Sequence, residues 1–171
     1  SSLVRLDAGN LTIHSIKLAD STALSFNYDG GDTDDGLHIN LNREYAPSEE
    51  LIIFINYHTN HINQPDPNFP GGSFGKGLRF FSPTTVNPTR RKQVWSQGEV
   101  ENNKYWFPCN ESPDDLRTTE MIATVENNLT VISNGILLSD KKNADGTRTF
   151  HYHATIPYPN YLTSVVAGEY I

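Results

Sequence analysis

Apolar and polar residues alternate along most of this chain, and the alternation predicts its elements. In 118–126, TTEMIATVE, Met121, Ala123 and Val125 fall on one face, with Glu120, Thr124 and Glu126 on the other. In 148–156, RTFHYHATI, Phe150, Tyr152 and Ala154 oppose His151 and His153. A period of two marks a half-buried strand. Between them, 143–147 (NADGT) has the composition of a hairpin turn. Earlier, 11–18 (LTIHSIKL), 22–29 (TALSFNYD) and 36–42 (GLHINLN) read as strands separated by polar or Gly/Asp-rich turns. The stretch 50–59 (ELIIFINYHT) is β-branched enough for a central strand. The segment 60–75, with three prolines and three glycines, reads as irregular surface chain. Only 112–119 (SPDDLRTT) looks helical: Ser112 can cap, Pro113 suits the first helical position, and Asp114 and Asp115 suit the N-terminal end. One short helical turn is expected at 113–117. The pattern predicts one all-β domain over 1–171, built from two packed, mostly antiparallel sheets in a sandwich or saddle.

Composition narrows the function classes. A net charge of −7, with no basic run longer than TRRK at 89–92, argues against a nucleic-acid partner, which needs a basic face. No apolar run reaches the length of a membrane-spanning helix. The single cysteine, Cys109, excludes an internal disulfide and reads as a small buried hydrophobe beside Pro108. Asn-x-Ser/Thr triplets begin at 10, 110 and 128, but so short a pattern does not fix a compartment.

Most motif-like features fail on spacing. His58 and His61 straddle a strand end, and His151 and His153 share a strand face, yet neither pair has a recognisable third ligand for zinc. In 29–36 (DGGDTDDG), aligning Gly36 with the invariant glycine of a calcium loop puts Gly31 and Thr33 where acidic ligands belong. In 69–77 (FPGGSFGKG), Lys76 is followed by Gly77 where a phosphate loop needs Ser or Thr. Neither Gly-x-Ser-x-Gly nor His-Glu-x-x-His occurs.

The candidate that survives lies in 95–109, WSQGEVENNKYWFPC, where the polar island Gln97-Gly98-Glu99 interrupts a run of aromatics. A fixed carboxylate beside an amide can pair with an ammonium group and hydrogen-bond a neighbouring amide. That is a binding task suited to a free amino terminus, and it needs no proton transfer.

Four blocks carry a family likeness: GLRFF (77–81), QVWSQGEVENNKYWFPCNESPDD (93–115), TVISNG (130–135) and YLTSVVAGEY (161–170). In sequence, order and spacing they resemble the N-terminal β domain of M1-family zinc aminopeptidases, with weaker agreement in VRLDAGNLTIHSIKL near the start. The resemblance implies that Ser96-Gln97-Gly98-Glu99 corresponds to the family's Q-x-E element. Glu99 would then help hold the substrate's α-amine, and Gln97 would line the same pocket. It implies a thermolysin-like catalytic domain as the partner, zinc in that domain and none in this chain, and a peptide amino terminus as substrate. The family's zinc motif and its Gly-x-Met-Glu-Asn element are absent. The expectation is therefore a fragment of a larger enzyme, lacking its first strands and inactive alone. Two other classes compete: a non-catalytic interaction scaffold of the same ancestry, and a carbohydrate-binding or adhesion sandwich using exposed Trp95 and Trp106.

Overall fold

Strands dominate the computed structural model, which describes residues 1–31, 34–60 and 76–170. In chain order they are β1 (Leu3–Asp7), β2 (Leu11–Leu18), β3 (Ser25–Asn27), β4 (Gly36–Asn40) and β5 (Ile53–Thr59), then β6 (Gly77–Phe81) and β7 (Gln93–Gln97). They continue as β8 (Arg117–Glu126), β9 (Thr130–Ser133), β10 (Ile136–Lys142), β11 (Thr147–Tyr158) and β12 (Val165–Gly168). All the pairings are antiparallel. His61 and nearly all of the 60–75 loop and the Gly-rich 69–77 stretch lie outside the described residues, as do Asp32 and Thr33 of the 29–36 stretch.

The chain forms two compact units, one of Ser1–His61 with Lys104–Asn110 and one of Ile62–Asn103 with Glu111–Ile171. In the first, the sheet β1-β4-β3 and the pair β2-β5 share one core: Ala8, Leu11, Ile16, Leu18, Leu24, Leu37 and Ile39. Leu37 and Ile39 are completely buried, because β4 turns every second side chain inward. The segment 104–110 is tied into this unit by Asp7 and Cys109, whose backbones exchange hydrogen bonds of 2.6 and 2.9 Å. Cys109 is buried.

Burial also sets an alkaline limit on this unit. Its cause is Tyr57, on the inner face of β5, whose hydroxyl is pushed up to about 12, chiefly by desolvation and secondarily by the neighbouring Cys109. A phenol in the unfolded chain ionises near pH 10. The stability Tyr57 contributes is therefore whole below pH 10 and is lost as pH rises through 12, a total of about 3 kcal/mol. Tyr57→Phe should flatten the fall in denaturant midpoint between pH 9 and 12. Equal slopes in the two proteins would refute this.

In the second unit, the sheets β6-β7-β12-β9 and β10-β11-β8 enclose Val131, Phe150 and Ala167, with Val94, Ala123, Val125, Tyr152 and Val165 packed around them. The predicted faces of 118–126 and 148–156 are observed: Phe150 and Ala154 are buried, while Glu120, Thr124 and Glu126 are exposed. The hairpin at 143–147 joins β10 to β11. Asp145 Oδ1 accepts from the Thr147 amide and hydroxyl there.

Three expectations need correcting. Among the described residues the two sheets become four, two in each unit. Periodicity reveals which face of a strand is buried but not which strands pair. Strand β5 is not central: among the described residues it pairs only with β2, and Phe54 on its outer face is 60% exposed. Residues 113–117 form a hydrogen-bonded turn and the start of β8, not a helical turn. The short 3-10 turns lie instead at Asn103–Tyr105 and Asn160–Leu162. Leu116 is 55% exposed, so the caps of 112–119 had no apolar face to anchor.

Candidate functional site

The polar island sits where β7 ends. Trp95, on β7, stacks on Phe81 of β6 with ring centroids 5.9 Å apart. Two residues on, Gln97 closes the strand and Gly98 turns the chain inward. Gly98 is buried against Asn103 and the Tyr161 carbonyl. A Cβ there would lie 2.6 Å from Asn103 Oδ1 and 2.7 Å from Tyr161 O, so no larger residue fits.

The backbone then swings out to Glu99. Its carbonyl oxygen accepts two side-chain amides, Gln97 Nε2 at 3.1 Å and Asn102 Nδ2 at 2.6 Å. The Asn102 amide donates to Gly98 O at 3.0 Å, closing the turn. The Glu99 side chain is exposed, and among the described residues nothing pairs with its carboxylate. A gripped backbone thus presents a free anion.

Behind the turn lies a buried polar chain that the sequence did not reveal. Asn103 and Asn160 are fully buried and Glu111 nearly so. Asn103 Nδ2 donates to Asn160 O at 2.6 Å and to Thr163 O at 3.2 Å. Asn160 Nδ2 donates to Glu111 Oε2 at 2.8 Å. From the other side, Asn134 donates to Leu162 O at 2.9 Å and accepts from the Ser164 amide at 2.7 Å. The Val165 amide donates to Ser96 Oγ, one residue before Gln97. Asparagines in turn-like text read as solvated loop residues. The only signal was their recurrence within the blocks 93–115 and 130–135 and just before 161–170.

The remaining candidates do not assemble into a site. His58 Nδ1 lies 2.8 Å from His14 Nε2 across β2 and β5, and His151 Nε2 lies 2.6 Å from Glu120 Oε1. Among the described residues, no three His, Cys, Asp or Glu side chains converge on a point fit for a metal. Trp106 is buried in the first unit, edge-on to Phe107. Trp95 is half-buried. The aromatic run is therefore divided between the units, and neither tryptophan offers the open platform a sugar would stack on.

The sequence pattern described as the Peptidase M1 N-terminal domain matches residues 1–162. This chain belongs to that family. Leucine aminopeptidase 2 of Pyricularia oryzae is 24% identical over 171 residues, 99% of this M1 domain and 26% of that protein. Subunit 2 of the transcription initiation factor TFIID from Gallus gallus is 31% identical over 97 residues, 55% of the chain and 8% of that protein. Among solved structures, an M1 zinc metallopeptidase mutant of Deinococcus radiodurans bound to a Tyr-Ser-Ala substrate superposes with a TM-score of 0.76 at 18% identity. That match covers 98% of this M1 domain and 34% of the other chain. The chain thus spans about a third or less of the length of these relatives.

Proposed function

We propose that this M1 domain supplies amino-terminus recognition to a zinc aminopeptidase of which it is the N-terminal part. Glu99 pairs with the substrate's α-ammonium, and Gln97 lines the same pocket. The observation that carries this reading is the contrast at residue 99: a carbonyl held by two amides and a carboxylate with no partner among the described residues. A fixed, unpaired anion is matched to a cationic group brought from outside. One Gln97 amide hydrogen is spent on Glu99 O, and its Oε1 is left to accept from substrate. The reading is supported by the aminopeptidase and metallopeptidase names of the relatives.

The described residues of this chain do not fit a zinc site, so no step of hydrolysis is assigned to them. In a catalytic domain, a bound zinc would supply water activated for attack. This domain's part is to bind and orient the amine.

A structure of the full-length protein with a free amino acid bound tests the reading directly. A Glu99 carboxylate oxygen should lie about 2.7–2.9 Å from the α-nitrogen. A well-ordered amino acid whose amine contacts only other residues would overturn it. A scaffold role predicts no specific amino acid binding at all.

A further inference from the structure

We infer that Asn103 is a positioning residue for substrate binding: with Asn160 and Glu111 it sets the height and tilt of the turn that presents Glu99. The inference rests on the reading of Glu99 above and adds the part that aims it.

The chain of contacts has a direction. Glu111, nearly buried, accepts from the Asn160 amide. Asn160, through its carbonyl and together with that of Thr163, receives both amide hydrogens of Asn103. The Asn103 side chain then forms the surface on which Gly98 rests, with no room for a single extra carbon. The next residue is Glu99. In a dry interior, an amide that must satisfy two carbonyls has one orientation, because any other leaves buried polar groups unpaired.

The floor beneath is equally fixed. Residues 160–165 are held by Asn103, by Asn134 and by Ser133, whose hydroxyl donates to Ser164 O at 2.7 Å. Ser96 holds the same segment at Val165. Ser96 and Asn103 bracket the turn on either side. Its position is therefore referred to β7, β9 and β12 together. An exposed carboxylate on a solvated loop would need none of this. One that must meet an ammonium does, because a misplacement of about 1 Å costs on the order of a hundredfold in rate.

The test uses the full-length protein with Asn103→Ala, and with Asn102→Ala as a second variant in case the buried change impairs folding. Two readouts are taken. Hydrogen exchange of the 98–102 amides should quicken in both variants, with exchange in β8 and β11 unchanged. The kcat/KM for a free-amine substrate should fall about tenfold, mainly through KM, while that for its N-acetylated counterpart stays level. A purely structural role would lower both substrates together through the amount of folded protein, leaving their ratio unchanged. Unchanged exchange at 98–102, or an unchanged ratio while Glu99→Ala collapses it, overturns the inference. A ratio that survives Glu99→Ala overturns the reading of Glu99 and the functional role of Asn103 with it. That failure is recognisable because the exchange result is untouched.

Discussion

Glu99→Ala in the full-length protein is expected to lower kcat/KM for free-amine substrates by about a hundredfold and to leave thermal unfolding unchanged. The two halves of this expectation have separate causes. Losing a charge-assisted hydrogen bond to a bound amine costs about 2–4 kcal/mol. The fold loses nothing comparable, because among the described residues Glu99 bonds to the domain through its backbone carbonyl, which alanine keeps. Glu99→Gln should recover little, since an amide accepts from an ammonium without neutralising it. Gln97→Ala should cost less in binding, being a neutral contact, but it also removes one of the two donors to Glu99 O. The control is a substrate with a blocked amine, poor for wild type and indifferent to the Glu99 change. If Glu99→Ala lowers both substrates equally, or lowers neither, the carboxylate does not read the amine.

Gly135→Ala should be the most damaging small substitution for stability. Gly135 joins β9 to β10 with φ of +89°, a region that L side chains avoid. A Cβ there would penetrate the van der Waals envelope of the His153 carbonyl and lie 2.5 Å from the Ala154 nitrogen. These are backbone atoms in the middle of β11, so no rotamer change relieves the overlap. The loss should reach about 4 kcal/mol or more, the range reserved for a named packing or backbone fault. For a chain of this size that lowers Tm by roughly 8–16 °C. Gly146 is the matched control: its φ is +84°, yet nothing lies within 4 Å of its missing Cβ. Gly146→Ala should cost only the conformational part, about 1 kcal/mol. Scanning calorimetry showing equal shifts for the two would mean that crowding by β11 does not govern Gly135.

What the sequence made legible was local. The inward faces of 118–126 and 148–156 followed from alternation, because each strand has one buried side and a period of two cannot hide it. The hairpin at 143–147 was legible for a similar reason, since Asp145 and Gly146 meet the demands of the turn within five residues. Pairing was not legible: β7 joins β12 across nearly seventy residues, and nothing in either strand names the other. The run at 50–59 misled because its outer positions, Ile52 and Phe54, are apolar although exposed. At the site, Glu99 stood out chemically as an acid among aromatics, and the family likeness gave it a role. Asn103 and Asn160 did not stand out, because a buried asparagine and a solvated one are the same letter. Their burial shows only once the blocks 93–115, 130–135 and 161–170 have met.

Fixing the turn by its backbone has an evolutionary consequence. The groups that hold the shape, Gly98, Asn102, Asn103 and the carbonyl of Glu99, are distinct from the carboxylate proposed to read the ligand. If Glu99 has the proposed role, drift at its side chain is invisible to folding, and a lineage can lose amine binding in one codon while keeping an intact domain. Drift at Asn103 carries the opposite risk, since it disturbs shape and chemistry together. On that proposal, a descendant of this fold that no longer bound amines would keep its asparagines long after its glutamate had gone.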